Sequence, residues 1–113
     1  MNLPAPEILR GTLDLLILKA LSWGPAHGYG VARWIEQATD DALAVGEGTL
    51  YPALHRLEER GWITASWGAS ENNRQAKFYT LTRKGRTQLR AETASWQPYE
   101  KAVFPALDAP ALD

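Results

Sequence analysis

The feature that most constrains this chain is a change of period at Gly61. Before it, apolar residues recur every three or four positions; after it come two short runs rich in β-branched and aromatic residues. Over residues 7–21, Leu9, Leu13, Leu16, Ile17, Ala20 and Leu21 make one apolar helix face, preceded by Pro4 and Pro6 and stopped at Gly24-Pro25. A second helix, to about Ala38, follows His27-Gly28-Tyr29-Gly30 and is lined by Val31, Trp34, Ile35 and Ala38. Asp40, Asp41 and Gly46 lead to a third, whose stripe is Leu50, Leu54 and Leu57 and whose stop is Gly61. Thr49 is expected as its N-cap, with Pro52 in the first turn, where a missing N–H costs nothing.

Residues 62–67 and 77–81 read as two strands joined by a polar tip at 68–75. Thr82 then caps a last helix starting near Arg83, along which Leu89, Trp96 and Val103 recur every seven residues, with Tyr99 and Leu107 beside them. The expected fold is mainly α with a two-stranded β-wing: a winged helix-turn-helix over residues 1–82, then a C-terminal dimerisation helix and tail over 83–113.

With 113 residues there is room for one core, and 45% hydrophobic against 22% charged residues argues for a folded chain rather than a disordered one. The absence of cysteine excludes disulfides, thiolate nucleophiles and cysteine-ligated metals. The longest apolar stretch, 13–21, contains Asp14 and Lys19 and is too short to span a bilayer. Without the basic region and cleavage site of a signal peptide at the N-terminus, a cytoplasmic location is expected.

The net charge of −1 conceals an uneven distribution. Residues 1–48 hold three basic and six acidic side chains, 49–91 eight and three, and 92–113 one and four. From 74 to 90 there are six basic residues and no acidic one. Such a local field attracts phosphate whatever the total charge, although a solvated face with no partner fits this feature equally well.

Four segments, in order, resemble the PadR family of regulators. Residues 9–18 (LRGTLDLLIL) are similar to its first helix, and His27-Gly28-Tyr29-Gly30 to the entry of its second. Residues 48–61 (GTLYPALHRLEERG) resemble its recognition helix and exit, and 77–85 (KFYTLTRKG) its second wing strand and the turn into the last helix. The resemblance implies a bacterial or archaeal DNA-binding transcriptional regulator, a repressor, whose dimer sets two recognition helices in successive major grooves. The short C-terminal part is similar to the compact subgroup with one dimerisation helix. Pro98 departs from that pattern, and a kink or an end near Gln97 is expected.

On the third helix, the side away from the leucines presents Thr49, Tyr51, Pro52, His55 and Arg56 as candidate DNA contacts. Arg56 suits a bidentate guanine contact or a phosphate. Arg74 and Lys77 flank the wing tip and suit phosphates, while Tyr79 and Leu81 are read as core. Ile8, Leu15 and Leu18 give the first helix a second apolar face; with Leu89, Trp96 and Val103 they form the candidate homodimer interface. Trp96 is foremost a dimer-core residue. It also suits stacking on a small planar aromatic effector between subunits, helped by Trp67, with Glu100 available to a cationic ligand.

An enzyme is not expected: His27 and His55 sit in different helices without a carboxylate at fixed spacing, and no metal-ligand cluster or phosphate loop appears. No cofactor or membrane is implied, and the partners are duplex DNA and a second copy. The alternative is a winged-helix protein-interaction module without DNA binding, which salt-dependent binding to duplex DNA would exclude.

Overall fold

The apolar stripes of the first three helices become their buried sides, while that of the last helix is left largely exposed. The computed structural model describes residues 10–69 and 72–112, with Arg10 and Tyr99 by their backbone alone. The elements are α1 (Arg10–Leu21), β1 (Ala26–His27), α2 (Gly28–Ala38), α3 (Glu47–Glu59), β2 (Ile63–Ala69), β3 (Gln75–Leu81) and α4 (Arg83–Leu107). Ile8, and with it the expected start of the first helix, lies outside the described residues. Ile17, Leu18 and Leu21 of α1, Val31 and Ile35 of α2, and Leu50, Leu54 and Leu57 of α3 meet Ile63 of β2 in one core. Burying each such side chain contributes roughly 1.5–3 kcal/mol. Tyr79 and Leu81 join this core. Leu18 joins it too, fully buried within its own chain, so the expectation that it faces a second subunit is corrected. With Leu13 and Ile17 it belongs to one broad buried side of α1, packed against α2, α3 and α4.

The sheet has three strands where the residue pattern suggested two. β2 and β3 form the antiparallel wing, with Ile63 opposite Leu81 and Ala69 opposite Gln75, and β1 adds to the other side of β3 through Ala26 and Tyr79. A two-residue strand has no alternation to read, so nothing local marks Ala26 and His27 as a strand.

The third helix starts earlier than expected. Gly46 is its N-cap, the amides of Thr49 and Leu50 both donate to the Gly46 carbonyl, and Thr49 lies within the first turn rather than capping it. Pro52 consequently sits in the second turn, leaving the Gly48 carbonyl without its i+4 donor at the exposed end of the helix. The C-terminus follows the expected stop. Gly61 adopts φ +76°, the Trp62 amide donates to the Leu57 carbonyl and the Gly61 amide to that of Glu58, a Schellman closure that turns the chain into β2.

Thr82 caps α4 as expected, its Oγ1 accepting from the Gly85 amide at 3.0 Å. A Cβ on Gly85 would lie 2.0 Å from the Trp62 carbonyl oxygen, so only glycine lets this first turn reach the β2 entrance. The expected end near Gln97 does not occur: α4 continues through Pro98 and Pro105 to Leu107, 25 residues in all. Each proline removes one hydrogen bond, and the remaining i→i−4 ladder carries the helix past both. This arm accounts for an elongated outline of 64 × 31 × 21 Å.

Candidate nucleic-acid interface

The N-terminus of α2, Tyr51 of α3 and the wing converge on an open groove of about 900 Å³. Its walls carry Arg33, Arg74 and Lys77 together with His27, Tyr29, Tyr51, Trp67 and Tyr79, and no carboxylate is among the described lining residues. His27 builds one wall by capping α2: its Nδ1 accepts from the Gly30 amide at 3.0 Å, and its ring packs 5.6 Å from that of Phe78. Gly28 then lets α3 come close. A Cβ there would be 2.8 Å from the Tyr51 hydroxyl oxygen and 2.9 Å from its Cε1, so the Tyr51 ring rests on the bare backbone of α2. Its other side stays open, at 45% exposure.

Thr49 is half-buried and Pro52 and His55 are exposed, but of the expected α3 contacts only Tyr51 is among the residues lining the groove. His55 Nε2 lies 2.7 Å from Glu59 Oε1 one turn on, which fixes the imidazole along the outer face. Arg56 does not share that face. Its Nη2 donates to Asp14 Oδ1 of α1 at 3.0 Å, so the expected base or phosphate contact is replaced by an internal ion pair. The helix flank it occupies, next to buried Ala53 and Leu57, points at α1. Asp14, 5% exposed, was not singled out from sequence.

On the wing, Arg74 is exposed at the tip. Lys77 lies 3.8 Å from Glu58 of α3, with its ammonium 5.7 Å from the centre of the Tyr79 ring. Trp67 pairs with Lys77 across the strands and shares the strand face of Ile63 and Ala65, which turns it into the groove. The groove walls include neither Trp96 nor Glu100, and within one chain strand parity puts Trp67 on the α2–α3 side. Leu89 is half-buried against the core, Leu15 is half-buried on α1, and Trp96 and Val103 are 37% and 39% exposed on α4. The groove residues missed as candidate contacts include Tyr29, Arg33, Asn72 and Gln75. Tyr29 is 66% exposed, and Arg33 donates to its hydroxyl at 3.3 Å, which raises the guanidinium pKa above its ordinary value. The signal was available, since positions 29 and 33 are one turn apart on the side of α2 away from Val31 and Ile35.

The sequence profile described as the transcriptional regulator PadR-like family matches residues 17–91. The chain belongs to the PadR-like family. The match runs from α1 into α4 and contains every described groove residue, but stops short of Trp96, Glu100 and Val103. A transcriptional regulator from Clostridium thermocellum is 30% identical, with a TM-score of 0.76 over 86% of this chain and 94% of that one. A PadR-like transcriptional regulator from Bacillus cereus is 28% identical, with a TM-score of 0.78 over 92% and 99%. The negative transcriptional regulator PadR of Bacillus subtilis is 26% identical over 91 residues, 80% of this chain and 50% of that protein. The present PadR-like chain thus spans half the length of that relative and nearly the whole of the two solved regulators. Among its described residues, no helix is long and apolar enough to cross a membrane.

Proposed function

We propose that this protein is a sequence-specific duplex-DNA-binding transcriptional repressor that works as a homodimer. One observation carries the proposal: Tyr51, exposed near the start of α3, shares an open groove with the cations Arg33 of α2 and Arg74 and Lys77 of the wing, and no described lining residue is a carboxylate. Thr49, Tyr51, Pro52 and His55 meet base edges in the major groove, because the N-terminal residues of a recognition helix lie deepest there. Arg74 and Lys77 hold phosphates from the wing side, and Arg33 with Tyr29 holds them from α2. Repression is supported by the name of the Bacillus subtilis relative.

The homodimer is supported by α4, where Trp96, Val103, Phe104 and Leu107 are all left partly or largely exposed. Trp96 further suggests how binding is relieved. A planar aromatic effector stacks between the Trp96 rings of two subunits, with exposed Glu100 one turn away to attract a cationic example.

The test is selection of bound sequences from random duplex DNA, followed by affinity measurement across a salt series. One enriched motif is expected, with affinity falling about a thousandfold or more between roughly 50 and 200 mM salt if six or more phosphates are contacted per dimer. No enrichment and no salt dependence would leave a protein-interaction module.

A further inference from the structure

Asp14 is the one buried charged residue among those described, and it lies on a helix that contributes no described residue to the groove walls. It pairs with Arg56, 42 positions away on the flank of the recognition helix. Removing one member of such a pair leaves an uncompensated charge, yet replacing both with apolar groups is often neutral for stability. Cohesion of the fold therefore does not require the pair. The leucines on α3 already bind that helix to the core.

Apolar packing is not directional, so a leucine stripe resists separation better than it resists a small rotation or slide. A charge-assisted hydrogen bond is directional, with a narrow range of working distances and angles. Base reading has the same narrow tolerance. The ion pair adds to α3 what its leucines lack, a fixed rotation about its own axis. Moreover, α1 packs against α4 as well as α3, so the angle is fixed relative to the helix that bears the exposed apolar stripe.

We infer that Asp14 and Arg56 are positioning residues for DNA recognition, setting the angle of α3 relative to α1 and α4 without contacting DNA themselves. This rests on the proposed role of α3 as a recognition helix. It separates two roles for one arginine. If Arg56 touched DNA, freeing it from Asp14 would leave recognition intact or improve it; if it positions α3, losing either partner has the same effect.

The experiment compares affinity for the selected sequence with affinity for random duplex of equal length, in wild type, Asp14→Asn and Arg56→Met. Both variants are expected to lose about tenfold of the preference, the scale of one badly seated base pair, while affinity for random duplex is kept. The double variant Asp14→Leu with Arg56→Met removes both charges from the interior and covers the case in which Asp14→Asn fails to fold. It is expected to show the same loss at an unchanged Tm. A loss in Arg56→Met alone, with Asp14→Asn at wild-type preference, would overturn the inference in favour of direct contact. Wild-type preference in all three variants would overturn it in favour of a purely structural pair. If the wild type itself binds no duplex, the proposed function fails first, and that outcome is distinct from the other two.

Discussion

At the scale of single residues, two glycines make sharp predictions because their missing Cβ atoms have known neighbours. Gly85→Ala forces a methyl to within 2.0 Å of the Trp62 carbonyl oxygen and 2.6 Å of Leu81 Cδ1, and neither backbone nor core side chain can yield cheaply. A loss of about 3 kcal/mol or more is expected, read as a lower urea midpoint at unchanged slope. Gly28→Ala meets only the movable end of Tyr51, so its stability cost should be smaller and its effect on DNA affinity larger. Tyr79 supplies a pH dependence. Burial, followed by the nearby charge of Glu58, raises its hydroxyl pKa above the ordinary 10.0. The stability this neutral phenol contributes is present below pH 10 and lost as pH rises through the folded value, so Tyr79→Phe should unfold less steeply under alkali. Arg56 shows the limit of reading residues from sequence. Its charge and helix were legible, but its partner was not, because a contact across 42 positions leaves no local pattern.

Whole elements were more legible than their ends. The leucine stripes, the glycine stop at Gly61 and the cap at Thr82 each state a local rule that the structure obeys, with the Schellman closure and the Thr82–Gly85 bond as its physical form. The start of α3 broke the rule because Gly46 caps through its backbone, and no side chain marks the place. Proline misled in the same way at Pro52 and Pro98, where local helix bonds on either side outweigh one missing donor. For the wing, the element-scale prediction concerns salt. Lys77 and Arg74 project from β3 and the turn before it, beyond the core. Lys77→Ala should weaken binding to all duplex sequences about equally and flatten the logarithmic salt slope by roughly one for each phosphate left without its cation. Arg33→Ala on α2 should behave alike. A change in sequence preference from either would move that residue from the phosphates to the bases.

At the scale of the molecule, α4 decides whether two grooves can act together. Its first turn is locked to the β2 entrance through Gly85, and beyond the body of the domain it exposes Trp96, Val103, Phe104 and Leu107. A dimeric mass by light scattering at micromolar concentration is expected, and a monomer would remove the two-fold on which the rest depends. In such a dimer the recognition helices sit at a separation set by α4, while successive major grooves recur about every 34 Å, roughly ten base pairs. Adding about five base pairs between the half-sites turns the second groove to the opposite side of the duplex, where the second α3 cannot reach it. Affinity for that site should fall to the level of one half-site, and about five more should restore the facing of the grooves but not their distance. Trp96→Ala tests the same geometry from the protein side. If the ring pair only fills the dimer contact, the substitution lowers dimer stability and leaves DNA affinity unchanged at saturating protein. If the pair also takes a planar aromatic ligand, ligand-induced tryptophan quenching and ligand-induced loss of DNA affinity should disappear together, because a ligand moves DNA affinity only by binding the two states of the dimer unequally.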